Sequence, residues 1–200
     1  MNKALIIIDM QNDFLPGGSL AVPGGDEIIP VINQLSKEFN LVVATQDWHP
    51  QNHGSFASNH DNKKVFEMGE LNGLPQMMWP DHCVQGTFGA EFHKDIQMNH
   101  VETIFRKGMN PKIDSYSGFF DNGHQKSTGL AGFLLEKKVE EIHFCGLAAD
   151  YCVYFSIKDA LELGFKTVLI DNATRPIDAE NYRNQKHELE KMQNFSLVSF

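Results

Sequence analysis

An uninterrupted apolar run near the N-terminus constrains the fold of this chain more than any other feature. Residues 4–8 are all apolar, three of them isoleucine, and Asp9 ends the run. Strict alternation would indicate a strand with one wet face, whereas a continuous run of this length is typical of a strand covered on both faces. The sequence therefore predicts a parallel sheet that lies between two layers of helices.

The rest of the chain repeats the alternation of apolar, β-branched runs with helical patterns. Further strands are expected at 41–45, 103–106, 142–145 and 167–170, with a weaker one at 196–198. Helices are expected at 26–38, 129–138, 151–163 and 179–192. The predicted fold class is α/β: a three-layer α/β/α, Rossmann-like arrangement around a mostly parallel six-stranded sheet.

One long segment interrupts this rhythm. Residues 49–97 are rich in Asn, Gly, His and Pro and show no clear strand. Long irregular loops inside a compact domain usually have a functional role. We therefore expect a metal-binding and lid region at about 47–97.

Composition favours a compact enzyme of one domain spanning 1–200. The chain has 200 residues, of which 42% are hydrophobic, so it can bury a sizeable core. Its formal charge of −9 disfavours nucleic acid and anionic membranes as partners. The three cysteines show no paired spacing, which indicates a reducing compartment. No apolar run is long enough to span a bilayer, so we expect the protein in the cytoplasm. A homo-oligomer is left open.

Cys152 is the leading candidate for a reactive side chain. It lies where the predicted strand at 142–145 passes through a small-residue turn into a predicted helix. Backbone N–H groups and the dipole at a helix N-terminus favour a thiolate, so we expect its pKa below the usual value of about 8.5. The same N–H groups can hold an oxyanion. The alternative is a buried apolar cysteine without a chemical role.

Asp9 and Lys107 also stand at the ends of predicted strands. Asp9 follows the run 4–8, and Lys107 ends the run 103–106 before a glycine. Taken singly, Asp9 could cap a turn and Lys107 could be a solvated surface lysine. Parallel-sheet enzymes place reactive groups at the carboxyl ends of strands, so the three side chains together predict one site. In that site Asp9 would accept a proton.

A candidate metal site follows the second predicted strand. Asp47 and His49 occupy alternate positions, so in extended backbone their side chains project to the same side. His82 is the candidate third ligand, because a distant loop histidine commonly completes such a set, and His53 is a possible fourth. Three ligands leave positions open for water or substrate. The alternative is a pair of loop side chains that bind each other.

Several motifs together resemble nicotinamidase/pyrazinamidase, within the isochorismatase-like cysteine hydrolases. They are IDMQNDF at 8–14, GGSL at 17–20, DWHP at 47–50 with SFA at 55–57, WPDHC at 79–83, KG at 107–108 and GLAADYCV at 146–153. The resemblance covers nearly the whole chain in the same order. It implies deamidation of nicotinamide, and of pyrazinamide, in NAD salvage.

The resemblance also implies roles for individual residues. The catalytic triad would be Asp9, Lys107 and Cys152, with the oxyanion held by the amides of Ala148 and Cys152. One divalent ion, Zn²⁺ in preference to Fe²⁺ or Mn²⁺, would bind Asp47, His49 and His82. A cis peptide bond is expected between Leu147 and Ala148. The substrate would be held by Phe14, Leu20, Trp79 and Tyr116.

Two other functions remain open at this point. A metal-bound hydroxide could itself attack a small amide, which would make the protein a metallo-amidohydrolase with Cys152 as a bystander. Alternatively, the metal could only fasten a loop in a binding module without activity. The second reading requires the convergence of Asp9, Lys107 and Cys152 to be accidental.

Overall fold

The main sheet has six strands, all parallel. The structure, a computed structural model, describes residues 2–200. The sheet contains β1 (Lys3–Ile8), β2 (Val42–Asp47), β5 (Thr103–Lys107), β6 (Glu141–Leu147), β7 (Lys166–Arg175) and β8 (Phe195–Val198). The strands lie in the order β5-β2-β1-β6-β7-β8. Every strand expected from the sequence is present, and the predicted fold class is confirmed.

Helices cover both faces of this sheet. The α-helices are α1 (Ile29–Glu38), α2 (Leu130–Glu136), α3 (Tyr154–Glu162) and α4 (Ala179–Leu189). Leu5 and Ile7 of β1 pack into an apolar cluster with α1, whereas Ile6 and Ile8 pack into a second cluster with the other three helices. All four side chains are fully buried. The continuous apolar run of β1 therefore serves two cores at once, as a strand covered on both faces requires.

Helix boundaries differ from the sequence expectation by up to three residues at either end; α4, for example, begins as predicted but ends at Leu189 instead of 192. A 3₁₀ turn, Gly25–Ile28, precedes α1, because Pro30 is tolerated only within the first helical turn. A π-helical turn, Ala149–Val153, precedes α3, so the α-helix begins three residues later than predicted. Cys152 lies within this π turn.

The segment between β2 and β5 contains two strands that the sequence reading missed. β3 (Met68–Leu71) and β4 (Leu74–Met77) form an antiparallel hairpin. Asn72 and Gly73 connect them, both with positive φ, at 55° and 79°. An Asn-Gly pair is the strongest short-range hairpin signal, so the expectation of a segment without strands was wrong. The rest of the segment is irregular, with short 3₁₀ turns such as Ala57–Asn59.

The strand order determines where a crevice forms. From β1 the chain moves outward to β2 and β5, and it then returns to pair β6 with the other side of β1. The order therefore reverses between β1 and β6. In open α/β sheets, ligands bind at the carboxyl ends of the strands at such a reversal. Among residues 2–200, no helix has the length and apolar character needed to cross a bilayer.

Candidate active site

Four side chains converge at the carboxyl ends of four adjacent strands, β5, β2, β1 and β6. Asp9 follows β1, Asp47 ends β2, Lys107 ends β5, and Cys152 follows β6 through the π turn. Asp47 and Lys107 lie opposite each other in the register of β2 and β5. The site therefore assembles directly from strand order and register, as the sequence predicts for Asp9, Lys107 and Cys152.

Lys107 lies at the centre of this group, with its side chain fully buried. Its Nζ is 3.0 Å from Asp9 Oδ2, 3.1 Å from Asp47 Oδ1 and 3.5 Å from Cys152 Sγ, and it donates to Ser115 O at 2.9 Å. Burial alone would lower the pKa of Lys107, but the carboxylates of Asp47 and Asp9 raise it well above its usual value. Lys107 is thus a buried ammonium held between two carboxylates, not a solvated surface lysine.

Asp9 is held in a strained backbone conformation, with φ of 46°. Thr45 Oγ1 donates to Asp9 Oδ1 at 2.6 Å, which fixes the carboxylate, and Thr45 was not among the residues expected at the site. Burial raises the pKa of Asp9, and Lys107 offsets part of this rise. A carboxylate with a raised pKa binds a proton more readily, which suits a general base.

The environment of Cys152 differs from the sequence expectation. Burial raises the pKa of this thiol well above its usual value; the charge of Lys107 acts against this rise, and the charges of Asp9 and Asp47 add to it. The expected lowering was inferred from the helix N-terminus and from Lys107, and it did not take account of burial, which has the largest effect here. The peptide bond between Leu147 and Ala148 is cis, as the resemblance implies. Ala148 immediately precedes the π turn that carries Cys152.

Asp47, His49 and His82 bring three buried ligand atoms together. Asp47 Oδ2 lies 3.0 Å from His49 Nε2 and 3.5 Å from His82 Nε2. His49 Nδ1 lies 2.8 Å from Gly108 O, and His82 Nδ1 lies 2.8 Å from Pro80 O. A carbonyl only accepts hydrogen bonds, so each Nδ1 carries the hydrogen and each Nε2 has its lone pair free for a cation.

Electrostatics also favour a cation in this cluster. Burial alone would lower the pKa of His49, but the adjacent Asp47 raises it. Burial alone would raise the pKa of Asp47, but His49 and Lys107 hold it well below its usual range. The space between these side chains thus attracts positive charge, and the donor set of two imidazoles and one carboxylate fits a divalent transition metal.

Gly108 is required at this position. Its φ is +68°, and a Cβ atom there would lie 2.4 Å from His49 Cε1 and 2.8 Å from Asp47 Oδ1. Any side chain would therefore displace the proposed ligands. Its carbonyl is the acceptor that orients His49.

His53 lies beside the metal cluster in a different hydrogen-bonding state. His53 forms a group with His49 and Asp114: each residue offers one possible ligand atom, and these three atoms lie within 4.8 Å of one another. The backbone N–H of Ser55 donates to His53 Nδ1 at 3.2 Å, so Nδ1 is an acceptor. Burial lowers the pKa of His53 to about 4, which leaves the ring neutral. Ser55 Oγ also lies 2.7 Å from Nδ1, and the buried Nε2 makes no hydrogen bond among the described residues.

A narrow cavity opens onto Cys152. It is lined by all four residues expected to hold the substrate, Phe14, Leu20, Trp79 and Tyr116. Tyr151 completes the aromatic wall, with its ring centroid 4.8 Å from that of Trp79 and 5.4 Å from that of Tyr116. Asp114 and Ile177 also line the cavity. The sequence reading missed Tyr151, Asp114 and Ile177, although Tyr151 adjoins the nucleophile candidate.

Comparison with known proteins assigns the chain to a family. The sequence profile of the isochorismatase domain matches residues 3–199, so the chain belongs to the isochorismatase domain family. A nicotinamidase of Escherichia coli (strain K12) is 46% identical over 182 residues, which cover 89% of this chain and 85% of that protein.

Two solved structures are similar throughout. A nicotinamidase/pyrazinamidase of Acinetobacter baumanii is 45% identical, with a TM-score of 0.95 over 99% of this chain and 96% of that one. The pyrazinamidase of Pyrococcus horikoshii, solved in complex with zinc, is 37% identical, with a TM-score of 0.82 over 100% of both chains.

Proposed function

We propose that this protein is a nicotinamidase that hydrolyses nicotinamide to nicotinate and ammonia in NAD salvage and also accepts pyrazinamide. The observation that carries the proposal is the contact of Lys107 with Asp9 and with Cys152, because Cys152 lines an aromatic-walled cavity. The similarity to nicotinamidases over most of the chain supports the same substrate. Nicotinamide carries no charge and needs no counter-ion, which suits a small cavity whose walls are mainly apolar and aromatic.

Cys152 is the nucleophile in this proposal. Because its raised pKa keeps it a thiol at rest, its proton passes to Asp9 as sulfur bonds to the carboxamide carbon. The carbonyl oxygen then carries the negative charge, and the amides of Ala148 and Cys152 donate to it. When the C–N bond breaks, Asp9 returns the proton to the leaving nitrogen, and ammonia departs from a thioester.

Hydrolysis of the thioester restores the enzyme. A water molecule attacks the thioester carbon while Asp9 accepts its proton. The C–S bond then breaks, and the proton returns to Cys152; the second product is nicotinic acid, which loses its carboxyl proton to solvent and becomes nicotinate. Lys107 positions Asp9 and stabilises negative charge on Asp9 and on the sulfur during both steps.

Asp47, His49 and His82 hold one divalent ion in this proposal, and zinc is the preferred ion over Fe²⁺ or Mn²⁺. A bound ion would orient the substrate by holding the pyridine ring nitrogen, directly or through water. The zinc complex of the Pyrococcus horikoshii pyrazinamidase supports the choice of metal. His53 stays outside the ligand set in this proposal, because its ring nitrogen groups with His49 and Asp114 and not with Asp47, His49 and His82. Phe14 and Trp79 clamp the ring.

The expected partners and location follow from the substrate. The small molecule nicotinamide is the proposed partner, and the formal charge of −9 disfavours nucleic acid and anionic membranes. Because the substrate of NAD salvage is intracellular and all three cysteines are free thiols, we place the protein in the cytoplasm. One domain spans the chain in this proposal.

Ammonia release from nicotinamide by the wild type and by Cys152→Ala tests the proposal. The wild type is expected to release ammonia, and the variant to be inactive. A folded wild type that is loaded with metal and releases none would refute the proposed activity. A Cys152→Ser variant that retained most of the activity would instead favour the metallo-amidohydrolase alternative.

A further inference from the structure

A second group of metal-ligating side chains lies outside the active site. His124, Asp159 and Glu162 each offer one possible ligand atom, and these three atoms lie within 4.8 Å of one another. None of the three residues takes part in the proposed chemistry or lines the cavity at Cys152. His124 belongs to the loop between β5 and α2, whereas Asp159 and Glu162 belong to α3. An ion bound here would therefore join two separate elements.

Asp159 is a buried carboxylate with one oxygen left without a hydrogen bond. Its exposed fraction is 6%. Oδ1 lies 3.1 Å from His124 Nε2, whereas the buried Oδ2 makes no hydrogen bond among the residues that the structure describes. A buried polar atom in this state costs free energy unless an ion or a water molecule supplies the missing interaction. Asp159 is thus prepared for a ligand that carries positive charge or donates hydrogen bonds.

The surroundings of Asp159 favour positive charge. Asp159 and Glu162 are three residues apart, so they lie as like charges on one face of α3. They occupy its last turn, where the helix dipole is negative and no basic residue lies. Burial raises the pKa of Asp159, the nearby Ser117 hydroxyl and the His124 ring offset part of this rise, and the charge of Glu162 adds to it. A cation between the two carboxylates would reduce both the repulsion and the cost of burial.

The lysine next to Asp159 is engaged elsewhere. Lys158 lines the same cavity as Asp159, but its Nζ lies 3.2 Å from Glu188 Oε1 and 5.5 Å from the ring centroid of Tyr154. It therefore compensates a different carboxylate, on α4.

The position of His124 suits the binding of an ion. Its ring stacks on Phe120, with centroids 5.0 Å apart and an interplanar angle of 26°, and Nε2 faces Asp159. His124, Asp159 and Glu162 line a cavity of about 350 Å³ beside Ser117. Water molecules in this cavity could complete the coordination of an ion. One imidazole and two carboxylates are ligands that zinc and similar divalent transition metals accept.

We propose that His124, Asp159 and Glu162 form a second site for a divalent metal ion, which links the loop after β5 to α3. The same loop carries Ser115, whose carbonyl accepts from Lys107. The link would hold this part of the active-site wall against the helix that follows the nucleophile. Because two of its three ligands are exposed, this site should bind zinc more weakly than the fully buried active-site cluster.

Zinc binding to the wild type and to His124→Asn tests this proposal. Asparagine tolerates the positive φ of His124, 52°, so the substitution removes the imidazole without new backbone strain. Each protein is dialysed against a range of free zinc concentrations, and the bound zinc is measured by mass spectrometry. The wild type should bind one ion more per chain than His124→Asn. Glu162→Gln, at an exposed position, should weaken the weaker site by at least about tenfold.

His187→Asn is the matched control, because His187 is also an exposed histidine beside a carboxylate, with Nδ1 3.4 Å from Glu190 Oε2. It should bind as many zinc ions as the wild type. Equal zinc content in the wild type and His124→Asn would overturn the proposal.

Anomalous diffraction at the zinc absorption edge locates the ion in wild-type crystals and needs no variant. A peak is expected between His124 and the carboxylate of Asp159. The absence of this peak at a zinc concentration that saturates the protein in dialysis would overturn the proposal. The peak should also persist in Asp47→Ala, which disrupts the active-site cluster, so the result does not depend on the proposed activity.

Discussion

Replacement of Lys107 by methionine tests the electrostatic core of the site most directly. Methionine has a similar length and apolar stem, so Lys107→Met mainly removes the ammonium. Two buried carboxylates, on Asp9 and Asp47, then lose a cation that lies 3.0 and 3.1 Å away. Cys152 loses the same cation at 3.5 Å.

The expected loss of stability is large. Removing one partner of a buried ion pair typically lowers the free energy of unfolding by about 3–5 kcal/mol, because the remaining charge has no compensation. The matched control is Lys158→Met, which breaks a partly exposed pair with Glu188 at 3.2 Å and should cost less than about 1 kcal/mol.

The stability difference should depend on pH in a defined direction. Burial already raises the folded-state pKa of Asp9, so ionised Asp9 destabilises the fold above its unfolded-state pKa of about 3.9. Without Lys107 that pKa rises further, and the penalty at neutral pH grows. The difference in the free energy of unfolding between wild type and Lys107→Met should therefore be largest at neutral pH and should become smaller as falling pH protonates Asp9. Urea denaturation between about pH 4 and pH 8 measures it.

Lys107→Met should also change the reactivity of Cys152. The ammonium lowers the pKa of both Asp9 and Cys152, so its removal should raise both values. Iodoacetamide labelling of Cys152 against pH should show its inflection move upward, and kcat should fall by roughly 10²–10⁴. The inflection belongs to the coupled pair Asp9 and Cys152. An unchanged labelling profile with near-normal turnover would refute the assigned role of Lys107.

Further variants test the other parts of the proposal. Cys152→Ala should fold normally and lose at least about 10³ in kcat, and activity within tenfold of wild type would exclude a thioester. Chelation or Asp47→Ala should abolish nicotinamide turnover, whereas fast metal-dependent hydrolysis of benzamide, which lacks the ring nitrogen, would contradict a purely orienting metal. In X-ray absorption of the zinc-loaded protein, His53→Ala should keep both imidazole ligands and His82→Ala should lose one. Asp178→Ala should lower the free energy of unfolding by about 1 kcal/mol, because Asp178 accepts two amides at the start of α4; an unchanged denaturation midpoint would refute this.

The sequence predicts the sheet and the convergence of the site because both depend on local patterns. Continuous apolar runs identify the strands, and the polar residue at each strand end necessarily lies at the carboxyl edge. Asp9, Asp47 and Lys107 were found in this way. Asp114 has no such pattern, since it lies in a loop after β5, and only the folded chain brings it to the cavity wall.

The hydrogen-bonding and charge states of the site could not be predicted from sequence. The state of His53 depends on an amide two residues away that turns back onto its ring. The pKa of Cys152 depends on burial and on the charges of Lys107, Asp9 and Asp47, which other strands contribute. The helix N-terminus predicted a lowered pKa for Cys152. In a buried site that local effect is smaller than desolvation, so the pKa is raised instead.

The raised pKa of Cys152 gives the proposed mechanism a definite order. A thiol that is protonated and buried is a poor target for oxidants and alkylating agents, since the thiolate is the reactive form. Asp9, with its own pKa raised by burial, is the adjacent group that can take the proton. Lys107 contacts both groups, so it stabilises the negative charge whether it rests on oxygen or on sulfur. In the proposed mechanism the nucleophile is therefore generated by proton transfer within the site, at the moment when an amide carbon is present to receive it.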